Sequence, residues 1–410
     1  MPLNRRHGLF EAFGVELEYM VVDRDTLAIR PIVDAMLFAV SGTYDDIENG
    51  AIGWSNELVN HVIELKTNGP APTLAGLSAL FAANVQAVND HLAPFGAMLM
   101  PTGAHPFMDP FKETQLWPHE FNEVYQLYNE IFDCRGHGWA NLQSTHINLP
   151  FDGDDEFGRL HAAIRLLLPI IPALSASTPL LDGAYTGFLD SRLETYRHNQ
   201  KRIPAIAGKV VPEAVFTQAD YHQRIYLPIQ EGIAPFDGQG ILQSTFMNSR
   251  GAIARFDRSA IEIRIVDIQE CPAADLAITA GIAAVTRALV DQRWCGYEAQ
   301  KRWHEDDLAA LFLDVICTGE RTIIRDQAYL ATMGLSALSA DAGSVWQHLF
   351  EQVRADVEPE LVDVLEAVLA RGSLSSRIIR RLGAKPTPAA IRETYRELAM
   401  CLAENRLFDA

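Results

Sequence analysis

"FGVELEYMVVDRDTL", residues 13–27, is the stretch that decides the fold. Val15, Leu17, Tyr19 and Val21 alternate with Glu16, Glu18, Met20 and Val22. A period of two is that of a β-strand with one apolar face. The two glutamates then leave the other face together, about 7 Å apart. Two like charges so close on one strand repel, so that face must hold something that makes them welcome.

Three other stretches repeat the pattern. "SNELVNHVIELKT" (55–67) carries Glu57, then Glu64 and Lys66 in a strand-like run. "QSTHINLPF" (143–151) sets His146 and Asn148 against Ile147 and Leu149. "SAIEIRIVDIQECP" (259–272) alternates Ile261, Ile263 and Ile265 with Glu262 and Arg264, and "NSRGAIARFDRS" (248–259) adds Arg250, Arg255 and Arg258 just upstream. Strands are expected near 14–22, 58–67, 97–102, 143–149 and 260–268. Helices are expected near 73–93, 118–133, 156–175, 273–293, 304–317, 343–370 and 387–405. The strands lie scattered among helices without βαβ alternation. This predicts an α+β fold, an antiparallel sheet with an open polar face and helices on the other. After about residue 300 the chain reads as wholly helical and carries no chemical motif, as a scaffold or oligomerisation segment would. No repeat or long Gly/Ser linker divides residues 1–410, which read as one catalytic domain with its motifs at about 13–290.

Composition narrows the partners. The chain has 53 acids against 34 bases, a formal net charge of -19, which repels phosphate backbones and disfavours nucleic acid. Nucleotides can still bind locally where cations mediate. Five cysteines, odd in number, widely spaced and without a CxxC, point to a reducing, cytoplasmic setting and away from a disulfide framework or structural zinc. No apolar run follows the two arginines of the N-terminal stretch, so no signal peptide is expected. "LHAAIRLLLPIIPALSASTPLL" (160–181) contains His161, Arg165, Pro169 and Pro172, which suits a buried, Pro-broken helix better than a membrane span. The phosphate-binding loop G-x-x-x-x-G-K-[ST], the G-x-G-x-x-G turn and H-E-x-x-H are all absent.

Taken singly, each acidic stretch has a plain structural reading. An E-x-E strand can be a solvated face, His146 a hydrogen-bonded core histidine, Glu262 and Arg264 an ion pair, and Lys66 a surface lysine. Together they put five glutamates and a histidine on one face, which is strongly repulsive when empty. Hard divalent cations, Mg²⁺ or Mn²⁺, relieve it, because carboxylate oxygens with one imidazole suit them. Such cations recruit the phosphates of ATP, and nearby arginines offset charge on a transferring phosphoryl group.

The order of these stretches resembles the carboxylate–amine ligase family of glutamate–cysteine ligases and, more distantly, glutamine synthetase. "GVELEY" is similar to the first metal strand, "NELVNHVIELKT" to the second acid pair, "STHINLPF" to the histidine strand near the nucleotide phosphates, and "IEIRIVDIQECP" to the last metal glutamate with its arginine. "SRLETYRHNQKRIPAIAGKVVPE" (191–213) is similar to the loop region that covers the site. The resemblance implies a curved antiparallel sheet whose concave face holds two or three Mg²⁺ ions. It implies that a carboxylate, typically the γ-carboxylate of glutamate, attacks the γ-phosphate of ATP, and that an amine then captures the acyl phosphate. By that resemblance Glu16, Glu57 and Glu64 hold metals nearest the transferred group, and Glu18, His146 and Glu262 the metal on the inner phosphates. Arg264, with Arg250 or Arg255, is the catalytic cation. Lys66, Asn148 and Arg258 contact the nucleotide, and Arg192, Arg197 and Arg202 are candidates for the substrates. The expected partners are small molecules: ATP, glutamate or a similar acid, and cysteine or another amine. No nucleic acid or membrane is expected, and a homo-oligomer is compatible. The alternatives are the same ligation on other substrates, a phosphagen-type kinase on a related sheet, and a non-catalytic metal-binding homologue.

Overall fold

A computed structural model describes residues 6–120 and 122–409. The expectation about the N-terminal stretch lies outside the described residues over positions 1–5, and the expected helix 118–133 does so at position 121. In chain order the described strands are β1 (Gly14–Asp23), β2 (Ile47–Asn49), β3 (Ile52–Asn56), β4 (Val62–Thr67), β5 (Ala97–Met100), β6 (Ser144–Pro150), β7 (Leu180–Leu181), β8 (Ala184–Tyr185), β9 (Ala252–Arg255), β10 (Ala260–Asp267), β11 (Ile323–Ile324) and β12 (Ala340–Asp341). Eight of them form one antiparallel sheet in the order β2-β3-β4-β1-β6-β10-β9, with β5 paired to the end of β1.

The alternation read in the sequence is the alternation of the sheet. Val15, Leu17, Tyr19, Ile63, Leu65, Ile147, Leu149, Ile261 and Ile263 are fully buried in one core. Helices Leu77–Leu92, Gly153–Leu167 and Pro272–Val290 cover that face. Pro272–Val290 opens on a proline at its first turn, where no backbone donor is lost. By length and composition it could cross a membrane, but 89% of its apolar window is buried inside the fold. It is the central core helix, and the tail helices Ala342–Val353 and Pro359–Arg371 pack on it. Residues 160–181 break as expected, into the end of Gly153–Leu167, a tight turn at Leu168–Ile170 and a short helix at Pro172–Ser175.

Three expectations are corrected. The strand expected over 58–67 begins only at Val62; β3 and β4 form a hairpin, and Glu57 sits on its connection. The helix expected over 343–370 is interrupted at 354–358 because Pro359 cannot continue a helix and starts the next one. The tail is not wholly helical, since β11 and β12 form a small ribbon.

β10 carries the irregularity that shapes the site. Ile263 faces Ile147 on β6, but Val266 faces Thr145, so one extra residue is accommodated between them. A bulge of this kind reverses which face the following residues meet. Glu262 and Arg264 lie on the polar face, and after the bulge Asp267, opposite Ser144, returns to the same side. The outer strand β9 is closed off by two phenols: Tyr221 Oη accepts from the Ala254 N–H, and Tyr226 Oη donates to the Ala254 carbonyl. This keeps the sheet edge from offering a free pairing row.

Candidate active site

The polar face is built row by row across the strands. Glu16 stands opposite Lys66 on β4 and opposite His146 on β6. Glu18 stands opposite Glu64, which stands opposite Ser55. Glu262 stands opposite Asn148. Gly14 permits one close approach: a Cβ there would come within 2.9 Å of the Asn148 Cβ. Asn148 can therefore lean across to donate to Glu16 at 3.1 Å.

Hydrogen bonds tie the rows together. His146 Nδ1 lies 2.8 Å from Glu16 Oε2, and its Nε2 lies 3.6 Å from Glu18 Oε1. Ser144 donates to Glu18 from its backbone N–H at 2.7 Å and from its hydroxyl at 2.9 Å. Lys66 Nζ is 3.1 Å from Glu64 and 3.1 Å from Asp46, and it donates to Ser55 Oγ at 2.8 Å. Arg264 reaches Glu262 at 2.8 Å and Arg255 reaches the same carboxylate at 3.4 Å. One donor atom each from Glu16, Glu64 and His146 lies within 4.8 Å of the others, so these three could hold a common cation.

The electrostatics match a crowded acidic face. Burial favours a neutral Glu16, but the hydrogen bond and charge of His146 outweigh it and hold the carboxyl down at about 2. Burial and the Glu16 charge push Glu64 up to about 7. Desolvation together with the Glu18 and Glu64 charges drives Glu57 well above the usual carboxylate range. Burial favours a neutral His146, but Glu18 and Glu16 outweigh it and raise the imidazole to about 9. Without a cation, then, the face keeps some of its acids protonated and its histidine charged. The donor set of carboxylates and one imidazole fits a hard divalent ion better than it fits the empty state.

Two cavities meet on this face. A smaller one of about 380 Å³ is lined by Glu16, Glu18, Glu57, Glu64, His146 and Glu262, with Arg192, Arg255, Arg258 and Arg264 around them. A larger one of about 730 Å³ runs from Glu16 and Lys66 past Asn148, Phe256 and Arg258. All six acid and histidine candidates thus converge. Lys66, Asn148 and Arg258, named from the sequence for the nucleotide, all line the larger cavity.

Three arginine candidates are elsewhere. Arg250 is buried and bound bidentately by Glu213 at 2.5 and 2.7 Å, with further bonds to the Ala205 and Ile206 carbonyls, so it fastens the 204–213 loop and lines neither cavity. Arg197 is engaged by Glu194 at 2.6 Å. Arg202 donates to the Ile131 carbonyl and stacks on Phe236. Arg192 is different. It lines the smaller cavity, yet its guanidinium is buried, donating to the Arg264 carbonyl at 2.9 Å and pairing with Asp267 at 3.5 Å. The sequence reading missed Ser144, Ser55 and Asp46, which brace Glu18, Glu64 and Lys66. It also missed the wall formed by Tyr125, Tyr128, Trp139, Tyr196 and Phe246. The serines were visible only as neighbours of the acids; the wall has no local signal.

Comparisons with known proteins agree with this geometry. A protein of Archaeoglobus fulgidus without an assigned activity is 30% identical over 401 residues, covering 96% of this chain and 99% of that one. A provisionally named glutamate–cysteine ligase 2 of Corynebacterium glutamicum is 27% identical over 189 residues, 45% of this chain and 46% of that one. Among solved structures, the glutamate–cysteine ligase of Francisella tularensis in complex with AMP shares the fold at a TM-score of 0.56 and 12% identity, covering 96% of this chain and 93% of that one. The bifunctional glutathione synthetase of Pasteurella multocida shares it at 0.57 and 13% identity, covering 97% of this chain and 52% of that one. The class these matches define is an ATP-dependent ligase that joins a carboxylate to an amine. The chain belongs to the glutamate-cysteine ligase family 2, whose model matches residues 12–398.

Proposed function

We propose that the protein activates the γ-carboxylate of glutamate, or of an acid like it, with ATP and transfers the acyl group to an amine. Cysteine, the amine in the family's name, is the simplest acceptor and would give γ-glutamylcysteine. The observation that carries this reading is the convergence of Glu16, Glu64 and His146 within 4.8 Å, on a cavity that also receives Glu18, Glu57, Glu262 and Arg264. Independent solvated faces have no reason to converge in this way.

Roles follow from position. Glu16, Glu64 and His146, with Glu18, Glu57 and Glu262 beside them, would hold Mg²⁺ or Mn²⁺. Such ions would neutralise phosphate oxygens against the carboxylates. Lys66, Asn148 and Arg258 would hold the nucleotide in the larger cavity, with the γ-phosphate pointing toward the acids. Arg264 and Arg255, both on Glu262, sit where charge on the transferring phosphoryl group needs offsetting. Arg192, which lines the same cavity, would add positive charge for a substrate carboxylate, shared with Asp267. The acid oxygen attacks the γ-phosphorus and ADP leaves. The amine nitrogen then attacks the acyl carbon, and phosphate leaves with the electron pair.

Incubation with ATP, Mg²⁺, glutamate and a panel of amines tests the proposal. ADP and free phosphate should form in step with an amide. Phosphate retained on an organic product would indicate a kinase instead. Absence of ADP with every acid–amine pair would remove the ligase proposal. A second reading, ligation to an amine other than cysteine, is favoured by the aromatic wall of the smaller cavity.

A further inference from the structure

The sheet side of the smaller cavity carries the groups suited to phosphoryl transfer. Elements outside the sheet add Arg192, Asn199 and Gln200 to the lining and, beside them, a wall of rings. The rings are Tyr125 and Tyr128 from helix Asn122–Phe132, Trp139 from His137–Ala140, Tyr196 from Ser191–Tyr196 and Phe246 from Ser244–Met247. Four separate elements, none of them in the sheet, deliver these rings to one wall. Tyr128 is buried and meets Trp139 edge-on (centroids 5.5 Å apart, 78°) and Phe246 edge-on (5.8 Å, 89°). These are the arrangements that the ring quadrupoles favour. The Tyr196 hydroxyl donates to the Ser249 carbonyl at 2.9 Å, which fixes that ring as well. Phe246 is nevertheless 54% exposed. A phenyl ring anchored by one edge and left open to the cavity presents an apolar surface with nothing on it.

We infer that this wall is the acceptor subsite, and that the amine it takes carries an aromatic ring, as an aromatic amino acid or an arylamine does. The inference rests on the ligase reading and deepens it. The acid must be activated against the carboxylate face, so the acceptor nitrogen has to approach the acyl carbon from a part of the cavity that the metals and phosphates leave open, and the ring wall is such a part. The N–C bond forms, the C–O bond to phosphate breaks, and the amine loses its proton to solvent. The rest of the acceptor then lies against the aromatic wall. A thiol on one methylene would cover little of that wall. A ring would bury its face on Phe246 and complete the edge-to-face cluster around Tyr128.

Discrimination between acceptors by apolar contact typically reaches about 10–200-fold, and this sets the scale of the test. The full-length protein is given ATP, Mg²⁺ and glutamate with phenylalanine, tryptophan, aniline, alanine or cysteine in turn. ADP release and product mass are followed. The aromatic amines should exceed alanine and cysteine in kcat/KM by about 10-fold or more. Phe246→Ala, at an exposed position, should fold and should cut the phenylalanine-to-alanine ratio about 10-fold. Its KM for ATP should stay within about twofold. Cysteine or alanine equal to or better than the aromatic amines would overturn the inference while leaving the ligase standing. So would an unchanged ratio in Phe246→Ala, or a raised KM for ATP, which would assign the wall to the nucleotide base. No ADP with any amine would remove the ligase reading and this one with it.

Discussion

Glu64→Gln should make the metal-free protein more stable and the enzyme inactive. Glu64 is buried between Ser55, Lys66 and the Glu18 row, and its carboxyl is raised from its ordinary value of 4.5 to about 7. At about 1.4 kcal/mol per pH unit, keeping it ionised inside the fold costs about 3 kcal/mol above pH 7. The sign follows from proton binding. Between pH 4.5 and 7 the folded state keeps its proton while the unfolded chain has lost it, so stability falls as pH rises through that window and is flat above it. Glutamine cannot ionise, yet it can still accept from Ser55 and Lys66. The variant should therefore gain about 3 kcal/mol over the parent at pH 8 and nothing at pH 4.5. With 410 residues and about 2.1 cal/mol/K of unfolding entropy per residue, that is a rise in Tm of about 3–4 °C. Thermal unfolding with a chelator at both pH values reads it. Adding Mg²⁺ should close most of the gap, because the parent gains about 2.7 kcal/mol at a hundredfold excess over Kd and the variant gains less. A variant less stable than the parent at pH 8 without metal would refute the reasoning, since the crowded acids would then not be a cost that cations relieve.

Three further outcomes are expected. Arg192→Lys keeps a charge against Asp267 but loses the planar group that also holds the Arg264 carbonyl, so KM for the acid should rise about 10-fold with KM for ATP little changed, read by steady-state ADP release. His161 is buried against the Val215 carbonyl, and burial and Arg165 lower its imidazole to about 3. As pH falls through 6.5 the unfolded chain takes up that proton first, so the parent should lose about 2 kcal/mol relative to His161→Asn between pH 6.5 and 5, measured by urea unfolding. Arg377→Leu strands the buried Glu270 beneath the Phe408 segment and should cost about 3–5 kcal/mol, whereas replacing both partners with methionine should recover most of it.

The parts of the site that lay on strands were legible because the period of two is visible in any short window. Glu16, Glu18, Glu64, His146, Glu262 and Arg264 alternate with residues that are fully buried, and the sheet places them on one face. Residues 58–61 read as the start of a strand because their apolar content continues that of β4, although they belong to the connection from β3 that also carries Glu57. The arginines could not be ranked, since a cation's use depends on its partner. Arg250 is held by Glu213, 37 positions away, and Arg197 by Glu194 one turn back, while Arg192, held by Asp267 and the Arg264 carbonyl, still lines the cavity. The β10 bulge was hidden within "IRIVD", because side-chain type does not show where an extra residue is accommodated. The aromatic wall is illegible for a simpler reason: residues 125, 139, 196 and 246 meet only through tertiary packing.

The central claim is that the acid is activated as an acyl phosphate over the carboxylate face, and oxygen transfer tests it most directly. Glutamate labelled with ¹⁸O in its γ-carboxylate is incubated with the protein, Mg²⁺, ATP and an accepted amine, and the released phosphate is weighed by mass spectrometry. One ¹⁸O atom should appear in phosphate for each amide formed. Amide formation with unlabelled phosphate would contradict the claim.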